Sequence, residues 1–275
     1  MAKKKIEAPE KEMSFLDHLE ELRWHLIRST IVVVVISILA FINKQIVFDK
    51  IIFGPKNPHF VTYRFFCWLS QNIGGNMFCF DKMPFELLNM RMAGQFTTHL
   101  WVSFVAGFIV AFPYVVYEFW RFISPGLHEK ERKSSKGVIF VTSALFLLGV
   151  AFGYFVISPF SVQFLTSYTV SDEVVNRIDL SSFISTVTSV TLASGIVFEL
   201  PVIVYFLSKA GILTPSLMRT YRKHAIVIIL ILSAIITPPD LTSQILVTLP
   251  VLLLYEVSIR VSARVEKKRI KAGLV

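Results

Sequence analysis

One carboxylate stands inside a long apolar run in the second half of this sequence. Glu199 lies within the run at about residues 183–207, and roughly 20 helical residues at ~1.5 Å each span the ~30 Å hydrocarbon core of a bilayer. A charge at that depth costs at least about 2.5–3.5 kcal/mol unless it is protonated, paired or facing water or a partner. Either neighbours within a helical bundle satisfy Glu199, or it forms an intramembrane docking or proton-handling site. Pro201 follows two residues later and predicts a kinked helix here.

Three further carboxylates lie close to the ends of apolar runs, among basic residues. They are Glu21, Glu118 and Glu131. Carboxylates at a membrane surface bind guanidinium groups through bidentate, charge-assisted hydrogen bonds, and partial desolvation strengthens these pairs. For each of them the alternative is an intramolecular salt bridge with a nearby arginine, which would be Arg23, Arg121 or Arg132.

The motifs of several enzyme classes are absent. The segment His128-Glu129-Lys130-Glu131-Arg132 begins like a zinc protease helix, but its fifth residue is arginine, so the second histidine ligand is missing. The sequence has no P-loop and no aspartate pair within an apolar run, and no histidine stands near the serines and threonines before Glu199 to activate them. We therefore expect binding by fixed charges and no enzyme activity, metal or cofactor.

Composition places the chain in a membrane. Of its 275 residues 54% are hydrophobic, the mean hydropathy is +0.62, and the long apolar runs indicate a multi-span membrane protein. The net charge is +9. Lysines and arginines cluster between the apolar runs, as membrane topology requires, and no RNA-binding motif is present, so we expect no nucleic-acid partner.

The apolar pattern predicts six spans in an all-α membrane protein. The last two runs have about 12 and 13 residues and reach roughly 18–20 Å as helices, less than the core thickness, so they either thin the bilayer or form a re-entrant pair. Thr237-Pro238-Pro239-Asp240 predicts a tight turn between them. The six runs are at about residues 26–42, 96–116, 138–165, 183–207, 225–236 and 245–257.

The remaining segments complete the predicted organisation. Residues 1–13 are charged and predicted to be disordered, a membrane domain follows at 14–260, and 261–275 form a basic tail. Phe15, Leu19, Leu22 and Leu26 recur on one helical face, so an amphipathic surface helix is expected to run into the first span. Basic residues flank alternate ends of the spans, which predicts that both termini are cytoplasmic and that the polar loop at about 43–95 is external.

Two short sequence patterns, a cysteine pair and a glycine pair, each allow two interpretations. Cys67 and Cys79 both fall in the predicted external loop and form either a disulfide or two reduced thiols. Gly149 and Gly153 are four residues apart in the third run. This spacing is typical of helix–helix packing in membranes, although ordinary crowding would also account for it.

Four segments together resemble the TatC family, the polytopic core of the twin-arginine protein translocase. Their order, spacing and topological placement match that family over about residues 14–260, and the external loop with its two cysteines is the part that resembles it least. The segments are Phe15-Leu16-Asp17-His18-Leu19-Glu20-Glu21-Leu22-Arg23, Phe122-Ile123-Ser124-Pro125-Gly126-Leu127-His128-Glu129-Lys130-Glu131-Arg132-Lys133, Phe198-Glu199-Leu200-Pro201 and Thr237-Pro238-Pro239-Asp240-Leu241-Thr242-Ser243-Gln244.

The resemblance implies a receptor for twin-arginine signal peptides at the cytoplasmic face of a bacterial inner membrane. It implies that Glu21 and Glu131 bind the two arginines and that Glu118 assists them. It also implies that Arg23 orients the first helix. The residues expected to shape the loop after the second span are Phe122, Pro125 and Leu127.

The same resemblance implies a multi-component translocase that moves folded proteins, driven by the proton-motive force. Glu199, Pro201 and Gln244 would form an intramembrane polar patch for single-span partners of the TatA/TatB type. Pro238, Pro239 and Asp240 would hold the short hairpin in a curved six-helix bundle. Self-association and contact with membrane lipid are also expected.

Two other functions fit the residues alone. A secondary transporter would use Glu199, Gln244 and the Ser/Thr-rich fourth run to line a solute path, although the sequence shows no inverted repeat. A general membrane scaffold would bind helices without selecting arginine.

Overall fold

The structure, a computed structural model, describes residues 15–72, 79, 85–123, 135–171, 173–174, 176–237 and 240–271. Most of this part is helical, with one two-stranded sheet. The elements are α1 (Phe15–Ile42), α2 (Val61–Asn72), β1 (Glu86–Leu88), α3 (Gly94–Ile123), α4 (Ser135–Phe152), α5 (Ser158–Ser167), β2 (Arg177–Asp179), α6 (Leu180–Phe198), α7 (Leu200–Lys209), α8 (Pro215–Thr220), α9 (Arg222–Ile236) and α10 (Leu241–Lys271).

Within the described ranges, five helical segments are long and apolar enough to cross a membrane. They correspond to the first four predicted runs and the sixth. The fifth run forms α9, whose 15 residues reach roughly 22 Å, so the count of six spans stays a prediction. The sixth apolar run is short, but the helix that contains it is long. α10 has 31 residues and continues beyond the apolar run into a polar end. The five segments are Leu19–Ile42, Gly94–Ile123, Gly137–Ser167, Leu180–Lys209 and Leu241–Lys271.

The helix α3 lies antiparallel to α1 in a close contact. A Cβ at Gly107 would overlap Ser37, whose backbone nitrogen would lie 2.7 Å away, so only glycine permits this approach. Farther along the pair, the rings of Phe41 and His99 stack with centroids 3.9 Å apart, and His99 Nε2 donates to the Phe41 carbonyl (3.0 Å). The contact holds the two helices in one register, and α3 continues through Pro113 without a break.

Glycines also bring α4 and α6 together. A Cβ at Gly149 would lie 2.6 Å from the Ser194 carbonyl oxygen and 2.7 Å from the Phe198 Cβ. At Gly153, the first residue of the π-helical turn Gly153–Ile157 that follows α4, the same atom would lie 2.9 Å from both Ser194 and Thr191. The small-residue spacing of the sequence is therefore a packing contact, and side chains larger than hydrogen are excluded from it.

The predicted external loop contains more structure than its polar composition indicates. A π-helical turn at Ile46–Ile52 and the helix α2 lie in it, and Cys67 is joined to Cys79 by a disulfide. β1 pairs in parallel with β2, with Leu87 opposite Ile178. We call the end of the molecule that carries these strands the sheet end.

Asp179 joins the small sheet to the next span. Its carboxylate caps α6 by accepting from the Ser181 amide (3.2 Å), and it accepts from the Met90 amide (3.4 Å). Desolvation opposes ionisation here, but these hydrogen bonds outweigh it and lower the pKa of Asp179. The charged carboxylate thus links the loop after β1 to the start of α6.

The opposite end carries the positively charged end of α10, and we call it the basic end. Ser208 Oγ donates to Ser262 Oγ (2.7 Å), and Tyr255 donates to the Met218 carbonyl (2.8 Å). Arg269 donates to the Ser208 carbonyl (3.3 Å) at the end of α7, which also accepts from the Gly211 amide (3.1 Å). These bonds hold α10 parallel to α7 and keep its polar end helical.

We expect Gly149→Leu to lower the free energy of unfolding by roughly 1–3 kcal/mol, because the new side chain must force α4 and α6 apart. Gly137→Leu is the matched control, since a Cβ there meets nothing within 4 Å and both changes gain the same helix propensity. Chemical denaturation in detergent micelles measures the difference. Equal stability of the two variants would contradict the close α4–α6 contact.

Candidate functional site

A buried polar cluster joins α1 to α3 near the basic end. His25 Nδ1 lies 2.5 Å from Glu118 Oε2, and the Tyr114 hydroxyl donates to Glu118 Oε1 (2.9 Å). The ring of His25 also meets that of Phe122 edge to face, with centroids 6.2 Å apart. Glu118 is 2% exposed, and each of its two carboxylate oxygens has a partner inside the protein.

This geometry differs from the role expected for Glu118. An arginine approaching from solvent cannot reach the carboxylate without displacing His25 from it. Sequence analysis did not single out His25, although it lies four residues after Glu21 and therefore on the same helical face. The antiparallel register of α1 and α3 brings this histidine to Glu118. The residue pattern of one helix does not predict how that helix aligns with another.

Glu21 occupies a different environment. It is half-buried, and it forms no ion pair or side-chain hydrogen bond with another described residue. α1 and α3 are antiparallel, so the residue one turn before His25 lies beside the residue one turn after Glu118. Glu21 is therefore level with Phe122. Arg23 is exposed and likewise has no ion pair within the described ranges. Glu131, Pro125 and Leu127 lie outside the described residues.

Glu199 marks a break between two helices. α6 ends at Phe198 and α7 begins at Leu200, with Pro201 in its first turn, as the proline predicts. Backbone amides of Val202 and Ile203 donate to the Glu199 carbonyl (2.9 and 3.0 Å). The side chain is 9% exposed, and its Oε1 has no hydrogen-bond partner among the described residues.

The helices that meet at Glu199 and its neighbour α4 carry unpaired hydroxyls and border an apolar groove. Buried hydroxyls of Thr142, Thr191 and Ser194 on α4 and α6 also lack partners in the described part of the chain. Beside the break, α4, α7 and α10 enclose a groove of about 290 Å³. Its lining is almost wholly apolar and consists of Gly137, Val138, Val141, Leu145, Pro201, Val202, Tyr205 and Val261.

Gln244 lies apart from Glu199. The Ser208–Ser262 hydrogen bond sets the register of α7 on α10 and places Glu199 level with about residue 253, so Gln244 lies roughly 14 Å away along the helix axis. Its amide donates to the Leu230 carbonyl (3.5 Å) and ties α10 to α9. The structure therefore does not bring the two residues into one polar patch.

Asp240 starts α10 as a helix cap. Its Oδ1 accepts from the Ser243 amide (2.6 Å), its carbonyl accepts from the Gln244 amide (3.1 Å), and it is 4% exposed. The structural part expected of Asp240 in the hairpin fits this geometry. Pro238 and Pro239 lie outside the described residues. Within the described ranges, no three histidine, cysteine or acidic side chains cluster as metal ligands.

Comparison with known sequences identifies relatives of nearly full length. The family model described as "Sec-independent protein translocase protein (TatC)" matches residues 17–250. A protein named Sec-independent protein translocase protein TatC from Blattabacterium is 42% identical over 260 residues, which cover 94% of this chain and 98% of that one. A protein of the same name from Halalkalibacterium halodurans is 33% identical over 253 residues, with 92% and 90% covered.

Solved structures share the architecture as well as the sequence. A crystal structure titled as the twin arginine translocase receptor TatC in DDM superimposes with a TM-score of 0.70 at 32% identity and covers 89% of this chain and 99% of that one. The solved structure shares the helical arrangement described above. The chain therefore belongs to the TatC family of Sec-independent protein translocase proteins.

Proposed function

We propose that this protein is the receptor and core subunit of a twin-arginine translocase, and that it binds signal peptides at its basic end. The observation that carries the proposal is the state of Glu21, a half-buried carboxylate with no ionic partner among the described residues. It stands level with the end of α3, where residues 124–134 begin, and those residues include Glu131. Membership of the family and the receptor title of the solved relatives support the same function.

Two carboxylates suit two consecutive arginines. Each guanidinium is planar and presents paired N–H donors that match a carboxylate, whereas a lysine ammonium makes a less directional contact. Glu21 comes from a rigid helix, and Glu131 would be supplied by the segment between α3 and α4. In this proposal Arg23 and Phe122 flank the clamp, and Pro125 and Leu127 shape its second arm.

The pair of His25 and Glu118 has a positioning role in this proposal. It ties α1 to α3 one turn below Glu21 and so keeps the first arm of the clamp beside the second. Glu118 then assists recognition through the protein and not by contact with the signal arginines. Its burial and its two internal partners support this role.

Glu199 serves the later step of the proposed function. A carboxylate at a helix break, next to an apolar groove, suits docking of a single-span partner helix of the TatA/TatB type that carries its own polar group. Gln244 would form a second contact at another depth. The short helix α9 favours a locally thinned bilayer, which would help folded cargo to cross. We place both termini in the cytoplasm, in a bacterial inner membrane, with the proton-motive force as energy source.

We expect Glu21→Ala and Glu131→Ala each to weaken binding of a twin-arginine signal peptide about tenfold or more, because each removes a charged hydrogen-bond acceptor worth about 1.5–3 kcal/mol. Site-specific photocrosslinking of the peptide to the full-length protein in membranes measures this loss. Glu20→Ala, one residue away on the exposed helix surface, is the control. Crosslinks that persist unchanged in the Glu21→Ala/Glu131→Ala double variant would contradict the arginine clamp.

Substitutions at Glu118 separate positioning from direct contact. We expect Glu118→Gln to retain most of the crosslinking, because an amide still accepts from Tyr114 and meets His25. Glu118→Ala and His25→Ala should both lower it, and the double alanine variant should lose less than the sum of the single losses, because the two side chains act through one contact. A loss in Glu118→Gln as large as that in Glu118→Ala would instead assign its charge to the arginines.

We expect Glu199→Gln to retain signal-peptide crosslinking and to lose transport, because the groove remains while the ionisable group is removed. Transport of a folded cargo into inverted membrane vesicles, with partners present and a proton gradient imposed, measures the second effect. Thr186→Val, at a half-buried position of α6, is the control. Full gradient-dependent transport by Glu199→Gln would exclude a proton-handling role for this carboxylate.

A further inference from the structure

The helix α2 presents an apolar face that no described part of the protein covers. Val61, Phe65, Trp68 and Leu69 are 66%, 55%, 60% and 37% exposed. Their spacing places them on one side of the helix. Such a stripe of four large apolar side chains, two of them aromatic, is unusual on a surface that water alone contacts.

The opposite face of α2 is already occupied. Thr62 donates to the Phe155 carbonyl, and the Tyr63 hydroxyl lies 3.0 Å from the carbonyl oxygens of both Pro55 and Pro159. Burial raises the pKa of the Tyr63 phenol well above its usual value, so it remains a hydrogen-bond donor. Because α2 is held from this side, its apolar face cannot be buried by turning the helix.

The contacts of α2 also give its depth. They fall on residues 155–160 of the segment Gly137–Ser167, which crosses the membrane by length and composition. These residues lie about 18–23 positions beyond the start of that segment, or roughly 27–35 Å at ~1.5 Å each. A hydrocarbon core of ~30 Å ends at this level, whichever side of the membrane the sheet end faces.

The exposed face continues the lipid-facing surface of its neighbour. Phe155, Phe164 and Leu165 of the same spanning segment are 43%, 36% and 37% exposed, and Phe66 of α2 packs edge to face on Phe160 with centroids 5.0 Å apart. A membrane that covers the spanning segment therefore reaches α2 as well. Tryptophan and phenylalanine are the side chains that favour the boundary between headgroups and acyl chains.

We propose that α2 is a membrane-interface helix whose face of Val61, Phe65, Trp68 and Leu69 inserts into the headgroup–acyl boundary at the sheet end. The occupant of this face is lipid, and a protein partner is not required. The inserted helix anchors the Cys67–Cys79 disulfide near the membrane surface and fixes the depth of the spanning segment to which it is bonded.

Fluorescence of Trp68 tests the proposal in the full-length protein reconstituted in phosphatidylcholine vesicles with brominated acyl chains. The difference between the wild type and Trp68→Phe isolates the Trp68 signal from the other tryptophans. The control moves the indole to the polar side of the same helix, as Trp68→Phe/Gln71→Trp, since Gln71 is exposed and lies off the apolar stripe. A second variant, Trp68→Phe/Phe65→Trp, places the indole back on the apolar stripe, at position 65.

Insertion predicts that bromines near the headgroup quench Trp68 and Trp at 65 at least about twofold more strongly than Trp at 71. Aqueous iodide should show the reverse order. Equal lipid quenching at positions 68 and 71, or strong iodide quenching of Trp68, would overturn the proposal and leave the face for a protein partner. If the Gln71→Trp variant fails to fold, iodide accessibility of Trp68 in the wild type decides alone.

Discussion

Close approach of helix backbones at glycine is the constraint on which the two carboxylate sites depend. Lipid offers no hydrophobic drive for helices to associate, so packing contacts and polar contacts must hold the bundle. Gly107 sets α1 against α3, and Gly149 and Gly153 set α4 against α6. The first contact fixes the register that brings His25 to Glu118 and leaves Glu21 one turn beyond. The second holds the end of α6, where Glu199 stands.

The described carboxylates then differ in how the protein satisfies them. Glu118 has a partner for each oxygen and is almost fully buried, which makes it a structural contact between two spans. Glu199 is nearly as buried, but one oxygen has no partner among the described residues, and the helix breaks beside it. Leaving such a group unpaired costs free energy, which is the reason for proposing that a partner helix docks there. Glu21 is half-exposed at the basic end and has no ion pair among the described residues.

Sequence patterns predicted the spanning helices because length and hydropathy are local properties. The break at Glu199 was also predictable, since a proline removes a backbone donor wherever it stands, and four short segments were enough to indicate the family, which the comparisons confirm. The predicted external loop was less predictable. Its polar composition indicated turns, whereas contacts with α5 and its neighbours, together with the disulfide, stabilise α2 and the small sheet there. Gln244 was expected beside Glu199, but the register of α7 on α10 sets them at different depths.

The sequence by itself determined which segments enter the membrane, where one of them breaks and which carboxylates stand near basic loops. These follow from the chemistry of residues close together in the chain. Only the tertiary structure decided which carboxylates have partners. His25 and Glu118 are 93 positions apart, and helix periodicity states which face each occupies but not which helices meet or in what register. That choice is made by the packing of side chains across the interface, where a glycine admits a neighbouring backbone and any larger residue would exclude it.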